Sequence, residues 1–224
     1  DLASRALTPP REEIGVTADL SALDASIRVS RETAERLGLY VNLLTKWNGK
    51  VNLVSPTTMP AVWTRHIADS AQIFGLAPGA AITWVDLGSG GGFPGLVCAV
   101  LAAEHRPRLD FSLIDSDRRK CQFLRAVARE LDLNVTVLPM RIEEAPLAPA
   151  DVVSARALAP LATLLGLAER VLGPHTCCLF PKGTRADEEI AAARATWSFK
   201  LRRVPSITCA TSAILCCEGV ERAR

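Results

Sequence analysis

The sequence lacks most features that would assign it quickly. Its seven cysteines, Cys98, Cys121, Cys177, Cys178, Cys209, Cys216 and Cys217, show no C-x-x-C spacing and no nearby histidine pair. Metal-centre and disulfide-scaffold readings therefore have no support, and no metal is expected. Cys177-Cys178 and Cys216-Cys217 lie in apolar runs, where cysteine behaves as a small hydrophobe, so a reduced, cytoplasmic compartment is expected. No apolar run approaches the roughly 20 residues of a membrane-spanning helix. The opening Asp1-Leu2-Ala3-Ser4-Arg5 has no signal-peptide character, and without an initiator Met a trimmed start is expected. Net charge is only +2, which neither favours nor forbids a nucleic-acid partner. Basic residues cluster at Arg118-Arg119-Lys120, Lys200-Leu201-Arg202-Arg203 and Arg222 with Arg224, a pattern expected of solvated surface.

What the chain has is a hydrophobic fraction of 49% over 224 residues. That suffices for one ordinary domain, with or without an appendage, and excludes disorder over most of the length. The most informative stretch is Trp84-Val85-Asp86-Leu87-Gly88-Ser89-Gly90-Gly91-Gly92-Phe93-Pro94-Gly95. An apolar run ends in clustered glycines, and the apolar segment Leu96 to Ala103 follows at once. This order predicts a buried parallel strand, a tight turn and a helix start, with Pro94 in the first helical turn. Glycines there let the backbone approach a small molecule closely.

Two ligands compete for that turn. Gly90-x-Gly92-x-x-Gly95 satisfies a dinucleotide fingerprint, and Asp115 lies about 20 residues beyond it, where a ribose acceptor is expected. Asp86-x-Gly88-x-Gly90, however, places a carboxylate at the strand end. That suits the cationic amino group of S-adenosyl-L-methionine, held directly or through water, and would repel a pyrophosphate. The methyltransferase reading is preferred to the dehydrogenase reading on these residues.

Residues 1 to about 18, with Pro9-Pro10, are expected to form a loose arm. Ser30 is the predicted N-cap of a helix carrying Leu37, Val41, Leu44 and Asn48 on one face and ending near Gly49. A second helix is predicted from Thr58, with Pro60 in its first turn, to just before Gly75. Trp63, Ile67 and Phe74 share one of its faces; Val62, His66, Asp69 and Ile73 share the next. Beyond Ile82, strands are predicted at 82–87, 109–114, 134–139, 150–155 and 175–180. Helices are predicted at 94–104, 117–131, 159–172 and 185–196. Two further apolar runs, 199–209 and 212–218, have no helix between them and read as a closing antiparallel pair. The expected fold is α/β, a Rossmann-like seven-stranded sheet of class I methyltransferase type with an N-terminal helical extension. Residues 1–76 would form the arm and helices packed on the core, and 77–224 the methyltransferase domain.

Together these motifs resemble a family, the bacterial small-subunit ribosomal RNA methyltransferase G (glucose-inhibited division protein B). The match runs through Trp47-Asn48-Gly49-Lys50-Val51-Asn52-Leu53, Arg65-His66-Ile67-Ala68-Asp69-Ser70 and Asp86 to Gly95. It continues through Leu113-Ile114-Asp115-Ser116 with Lys120, Phe123 and Leu124, then Arg141-Ile142-Glu143-Glu144, Ser154-Ala155-Arg156-Ala157 and Lys182-Gly183. The resemblance implies methylation of guanine N7 in the decoding-region hairpin of 16S rRNA, guanosine 527 in the usual numbering, with S-adenosyl-L-methionine. It implies cofactor contacts at Gly88, Phe93, Ile142, Glu143 and Arg156. Two departures are visible: Ala155 separates Ser154 from Arg156, and Cys121 follows Lys120 where a second basic residue is common.

The chemistry agrees with that target. Guanine N7 carries an in-plane lone pair and no proton, so transfer needs positioning and no general base. No Asn/Asp-Pro-Pro-aromatic motif follows the fourth strand, as exocyclic-amine methylation would want, and no Pro-Cys dipeptide is present for attack on cytosine C5. Glu143, after the third strand, is the expected acceptor for the adenine amino group. Arg156, at the end of the fourth, suits the cofactor end or the target nucleotide, because its fork fits phosphate and guanine O6 alike. Arg141 and Lys182, also at strand ends, are candidates for RNA phosphate or developing charge. His66 and Asp69 are expected to bond to each other and cap the cofactor site, or to form a structural pair. Trp47 and Trp63 are read as core. The expected partner is 16S rRNA, free or in the 30S subunit or an assembly intermediate, with the chain a monomer. A methyltransferase acting on a different RNA, a small molecule or a protein, and a cofactor-sensing module, are the alternatives.

Overall fold

Two helices and a seven-stranded sheet meet at the glycine turn, in a computed structural model that describes residues 29–223. The expected arm over residues 1–18 and the basic Arg224 lie outside the described residues. Helix α1 (Arg31–Asn48) begins at the N-cap Ser30, whose hydroxyl accepts from the Thr33 amide. Glu104 takes hydrogen bonds from the Ser30 amide and hydroxyl and from the Thr33 hydroxyl, fastening this end of α1 to the helix that follows the turn. Leu37, Tyr40, Val41 and Leu44 are fully buried. Asn48, expected on that apolar face, instead turns its Oδ1 to the Leu53 and Val54 amides, 3.0 Å from each, and shapes the loop after the helix.

The predicted second helix is in three pieces. A 3-10 turn spans Met59–Ala61, a π-helix Trp63–Ala68, and α2 Asp69–Phe74. Pro60, lacking an N–H, sits in the first piece, where no helical donor is needed. The π-turn is a spacing that a 3.6-residue periodicity cannot anticipate, and such turns are frequent at functional sites.

The sheet has the order β3-β2-β1-β4-β5-β7-β6. Strands β1 (Thr83–Leu87), β2 (Asp110–Ile114), β3 (Val135–Leu138), β4 (Val152–Ser154) and β5 (Cys177–Lys182) are parallel. Strand β7 (Ala213–Arg222) lies antiparallel between β5 and the edge strand β6 (Trp197–Pro205). Helices α3 (Gly95–His105), α4 (Arg118–Glu130) and α5 (Leu161–Ala168) supply crossovers between parallel strands, a 3-10 turn (Ile142–Glu144) lies between β3 and β4, and α6 (Ala186–Arg194) leads from β5 to β6. This is the expected α/β fold with an antiparallel last pair. Lys200, Arg202 and Arg203 on β6 protect the open edge, a common device against strand addition.

Alternation along β1 divides the core. Trp84 joins the cluster under α1, α3 and α4, where it stacks on Phe111 of the neighbouring strand, centroids 5.3 Å apart. Val85 and Leu87 join the cluster under α5. Helix α3 is buried almost all round, which a helix apolar on every face must be. The N-terminal helices share the first cluster, so their side chains and those of the sheet form one core. Trp63 is buried within it, and Trp47 packs on Phe123 at 5.8 Å. All seven cysteines are free, six of them buried. No described helix is long and apolar enough to cross a membrane.

Candidate active site

A cleft of about 560 Å³ opens at the carboxyl ends of β1 to β4, beside the β1/β4 switch of strand order where open α/β sheets bind ligands. Its walls are the glycine turn, the segment after β2 with Asp115, the segment Met140 to Glu143 after β3, and Arg156 to Leu158 after β4. Leu53 and Val54 close it from the N-terminal side.

The turn is built by backbone that only glycine adopts freely. Gly88, Gly90 and Gly92 have φ of +63°, +55° and +93°. Crowding confirms the need: a Cβ on Gly92 would stand 2.6 Å from the Tyr40 hydroxyl, and one on Gly95 2.7 Å from Asp86 Oδ2. Tyr40 reaches from α1 to donate a hydrogen bond to the Gly91 carbonyl. Asp115 binds the turn from the other side, one carboxylate oxygen accepting from the Gly90 amide at 2.8 Å and the other from the Asp117 amide at 2.8 Å. Each oxygen keeps acceptor capacity, since a carboxylate offers about four acceptor sites, and Asp115 lines the cleft.

Asp86 is placed differently from the sequence expectation. It is fully buried beneath the turn and does not line the cleft. Oδ1 accepts from the Ser154 hydroxyl at 2.6 Å, which in turn accepts from the Trp84 indole at 2.8 Å. Among the described residues Oδ2 has no hydrogen-bond partner. Burial pushes the Asp86 carboxyl up to about 6, against the pull of the Ser154 hydrogen bond. Oδ2 is thus a buried acceptor beneath the turn, out of direct reach of the cleft.

Beside the turn, Arg156 is held on three sides. Its Nη1 donates to the Arg65 carbonyl at 3.0 Å and to Asp69 Oδ2 at 3.2 Å, and Nη2 donates to His66 Nδ1 at 2.7 Å. The guanidinium lies over the Phe93 ring, 5.0 Å from its centroid. Arginine can only donate, so His66 Nδ1 is the acceptor and Nε2–H donates to Thr58 Oγ1 at 2.8 Å. The Thr58 hydroxyl in turn donates a hydrogen bond to the Ser55 carbonyl at 2.9 Å. Burial, and then the Arg156 charge, lower the His66 pKa to about 4. The expected His66–Asp69 bond does not form: the two residues grip Arg156 instead, which sets them apart. Phe93 is buried between Tyr40, 5.5 Å away, and His66, 4.9 Å away.

Of the cationic candidates, Arg141 is exposed on the cleft rim beside Ile142 and Glu143. Lys182 is not brought to the cleft. Its Nζ is paired with Glu189 at 2.8 Å and donates to the Ala159 carbonyl at 2.6 Å, with 9% of the side chain exposed. A committed, buried ammonium cannot serve an incoming phosphate, so the sequence assignment is corrected to a structural one. Lys120, by contrast, lines the cleft. Arg203 and Arg222, from the basic clusters, are paired with Asp187 and Glu169.

Sequence reasoning did not find Tyr40, Thr58 or Leu158. Leu158, 38% exposed, covers Gly88 so closely that a Cβ there would meet its Cδ1 at 2.7 Å. Ala157, just before it, has φ +54°. For Tyr40 a signal existed, as the chain's one tyrosine, three residues after Leu37 on the buried face.

Comparison with solved structures places the fold among methyltransferases. A putative class I S-adenosylmethionine-dependent methyltransferase from Listeria monocytogenes is similar with a TM-score of 0.58 at 14% identity, covering 85% of this chain and 69% of that one. An S-adenosylmethionine-dependent methyltransferase from Aquifex aeolicus gives 0.53 at 16% identity, over 79% and 97%. In sequence, the ribosomal RNA small subunit methyltransferase G of Ruegeria sp. (strain TM1040) is 50% identical over 194 residues, 87% of this chain and 94% of that protein. The protein of that name from Paramagnetospirillum magneticum is 50% identical over 196 residues, 88% and 93%. The family model for rRNA small subunit methyltransferase G matches residues 33–216, and with these relatives it shows that the chain belongs to that family.

Proposed function

We propose that this chain methylates N7 of a guanine in 16S rRNA, guanosine 527 of the decoding-region hairpin, with S-adenosyl-L-methionine as donor. The residues present fit that cofactor. The turn at Gly88 and Gly90 leaves backbone bare at the cleft, where a side chain would fill the cradle. Asp115 has acceptor capacity left for two ribose hydroxyls. Ile142 and Glu143, on the 3-10 turn after β3, flank the position for an adenine. The unpartnered Asp86 Oδ2 lies under the turn as a counter-charge for a cationic ligand. When bound, the cofactor supplies an electrophilic methyl group on a sulfonium.

The chain's own residues then have to position a nucleophile. The observation that carries the reading is His66: both ring nitrogens are engaged, Nδ1 by an arginine and Nε2 by Thr58. It is thus fixed as a neutral imidazole with no free lone pair to abstract a proton. N7 has no proton to lose, so a site whose histidine is occupied in this way loses nothing. Arg156 has five N–H donors, of which three contacts use Nη1 and Nη2. Nε–H and one Nη2–H have no partner among the described residues and are available to the cofactor end or a purine O6. Arg141 and Lys120, on the rim, are placed to meet RNA phosphate.

The test is to incubate the protein with labelled donor and 16S rRNA, free or in small subunits, and cleave chemically at N7-methylguanine. One cleavage at guanosine 527 is expected. Label on another nucleotide, on an exocyclic amine or on protein overturns the reading. The same reactions compare free RNA with particles, and sedimentation of the active species checks the proposed monomer in a cytoplasmic setting.

A further inference from the structure

The tip of the last hairpin, residues 206–208, lies more than a hundred residues along the chain from Asp69, yet it holds the group that holds Arg156. Asp69 Oδ2 receives Arg156, while Oδ1 accepts from Thr208 Oγ1 at 2.8 Å and from Gln72 Nε2 at 3.0 Å. The directions of these bonds follow from donor counting. A carboxylate only accepts, so the single hydroxyl proton of Thr208 goes to Asp69. Ser206 Oγ, 3.0 Å from Thr208 Oγ1, must then donate to it. Ser206 Oγ itself accepts from the Thr208 amide at 3.2 Å and from Gln72 Nε2 at 3.1 Å. The Ile207 amide donates to Gln72 Oε1 at 3.0 Å, which fixes the Gln72 amide with its nitrogen toward Asp69. Both hydroxyl hydrogens in the network are committed, that of Ser206 to Thr208 Oγ1 and that of Thr208 to Asp69 Oδ1.

We propose that the hairpin tip is a positioning element for methyl transfer: Thr208, Ser206 and Gln72 set the plane of the Asp69 carboxylate, and Asp69 sets the direction of the open N–H donors of Arg156. The proposal rests on the reading that Arg156 serves the reaction. The bonds to Asp69 and Gln72 join the tip of this hairpin to the group that holds Arg156. The arrangement has the character of outer support that locks the rotamer of a group in contact with ligand.

The test compares Thr208→Val, which keeps the shape and loses the donor, with Thr208→Ser, which keeps the donor. Single-turnover methylation of small-subunit rRNA, cofactor affinity, thermal midpoint and the His66 imidazole titration by NMR are measured on the full chain. Thr208→Val is expected to lower the rate roughly tenfold, the size of one hydrogen bond to a charged group, with the thermal midpoint held and Thr208→Ser restoring the rate. In an Arg156→Lys background the same substitution is expected to cost less than about twofold, because coupled residues are not additive. The His66 titration is expected to move in Thr208→Val and not in Thr208→Ser. The charged groups bearing on that ring are Arg156, Asp69 and Arg65, and only Arg156 and Asp69 are released by the change. An unaltered rate with an unaltered His66 titration overturns the proposal, as does an equal loss in both backgrounds. If the wild-type chain does not methylate rRNA, the functional reading fails while the His66 titration still decides whether the tip positions Arg156.

Discussion

His66 and Arg156 are joined by a 2.7 Å hydrogen bond in which the arginine can only donate. The histidine is therefore an orienting acceptor for a cation. Asp69 completes the grip from the next helical turn at 3.2 Å, with 16% of Arg156 and 19% of Asp69 side chain exposed. At that burial the pair is shielded from salt, unlike surface pairs worth about 0–1 kcal/mol.

With the His66 pKa lowered to about 4, the single-turnover rate should show no ascending limb between roughly pH 6 and 7, where a free histidine base would titrate. His66→Asn should cost much less than the hundredfold expected of a lost base. A rate that climbs through pH 6.5, together with a loss above a hundredfold at unchanged ligand affinity, would make His66 a base and count against N7. Stability follows the same shift. As pH falls from 6.5 toward 4, the unfolded chain takes up a proton that the folded site refuses, so the contribution of His66 to stability declines over that window.

Asp86 carries the opposite sign. Its carboxyl is pushed from 3.8 to about 6 by burial, so between those values the folded state binds the extra proton. Its contribution to stability falls as pH rises through that window. Asp86→Asn should therefore stabilise the chain more at pH 8 than at pH 4, by up to about 3 kcal/mol for a two-unit shift. Calorimetric titration should show wild-type cofactor affinity rising up to about pH 6 and then levelling, as the buried carboxylate ionises under a cationic ligand. The Asn variant should bind weakly and without that rise. Wild-type affinity in Asp86→Asn would remove the residue from the site.

Sequence reading reached the sheet because β1 and its successors are short apolar runs separated by helix-period segments, which local patterning encodes directly. The cleft's floor was equally legible, since only glycine suits the backbone at Gly88 and Gly90. Side-chain commitments were not. Lys182 at a strand end looks like Arg141 at a strand end until Glu189, from the following helix, is seen to capture it. The grip of His66 and Asp69 on Arg156 joins residues some ninety positions apart, and the π-turn that presents them breaks the 3.6-residue period. Gly88→Val makes the same point. With φ at +63° and Leu158 in the way, it must cost stability as well as binding.

Arg141 and Lys182 should separate cleanly when mutated. Arg141→Ala should weaken RNA binding and reduce the slope of log K against log[salt] by about 0.7, the value for one phosphate contact on a single strand. Cofactor affinity should be retained. Lys182→Ala should leave that slope unchanged and lower the unfolding free energy by about 3 kcal/mol, as expected when one partner of a mostly buried pair is removed. Glu189 would keep the Leu161 amide, 2.9 Å away, as its one remaining partner at that oxygen. A flattened salt slope in Lys182→Ala would restore it as an RNA contact.

Tyr40 ties α1 to the turn, and its removal should report on that link. The hydroxyl is fully buried and donates to the Gly91 carbonyl, while the ring stacks on Phe93. Tyr40→Phe keeps the stack and strands a buried carbonyl, at a cost of about 1–3 kcal/mol. The turn would lose its support from one side while keeping Asp115 on the other. Gly90 and Gly91 should then sample more positions, so cofactor affinity should fall several-fold alongside the lower denaturation midpoint. Asp115→Ala removes the opposite support together with the proposed ribose acceptor, and should therefore reduce affinity more and stability less. Wild-type cofactor affinity in Tyr40→Phe would mean that α1 contributes only packing, and that the conformation of the turn is set by its glycines and Asp115.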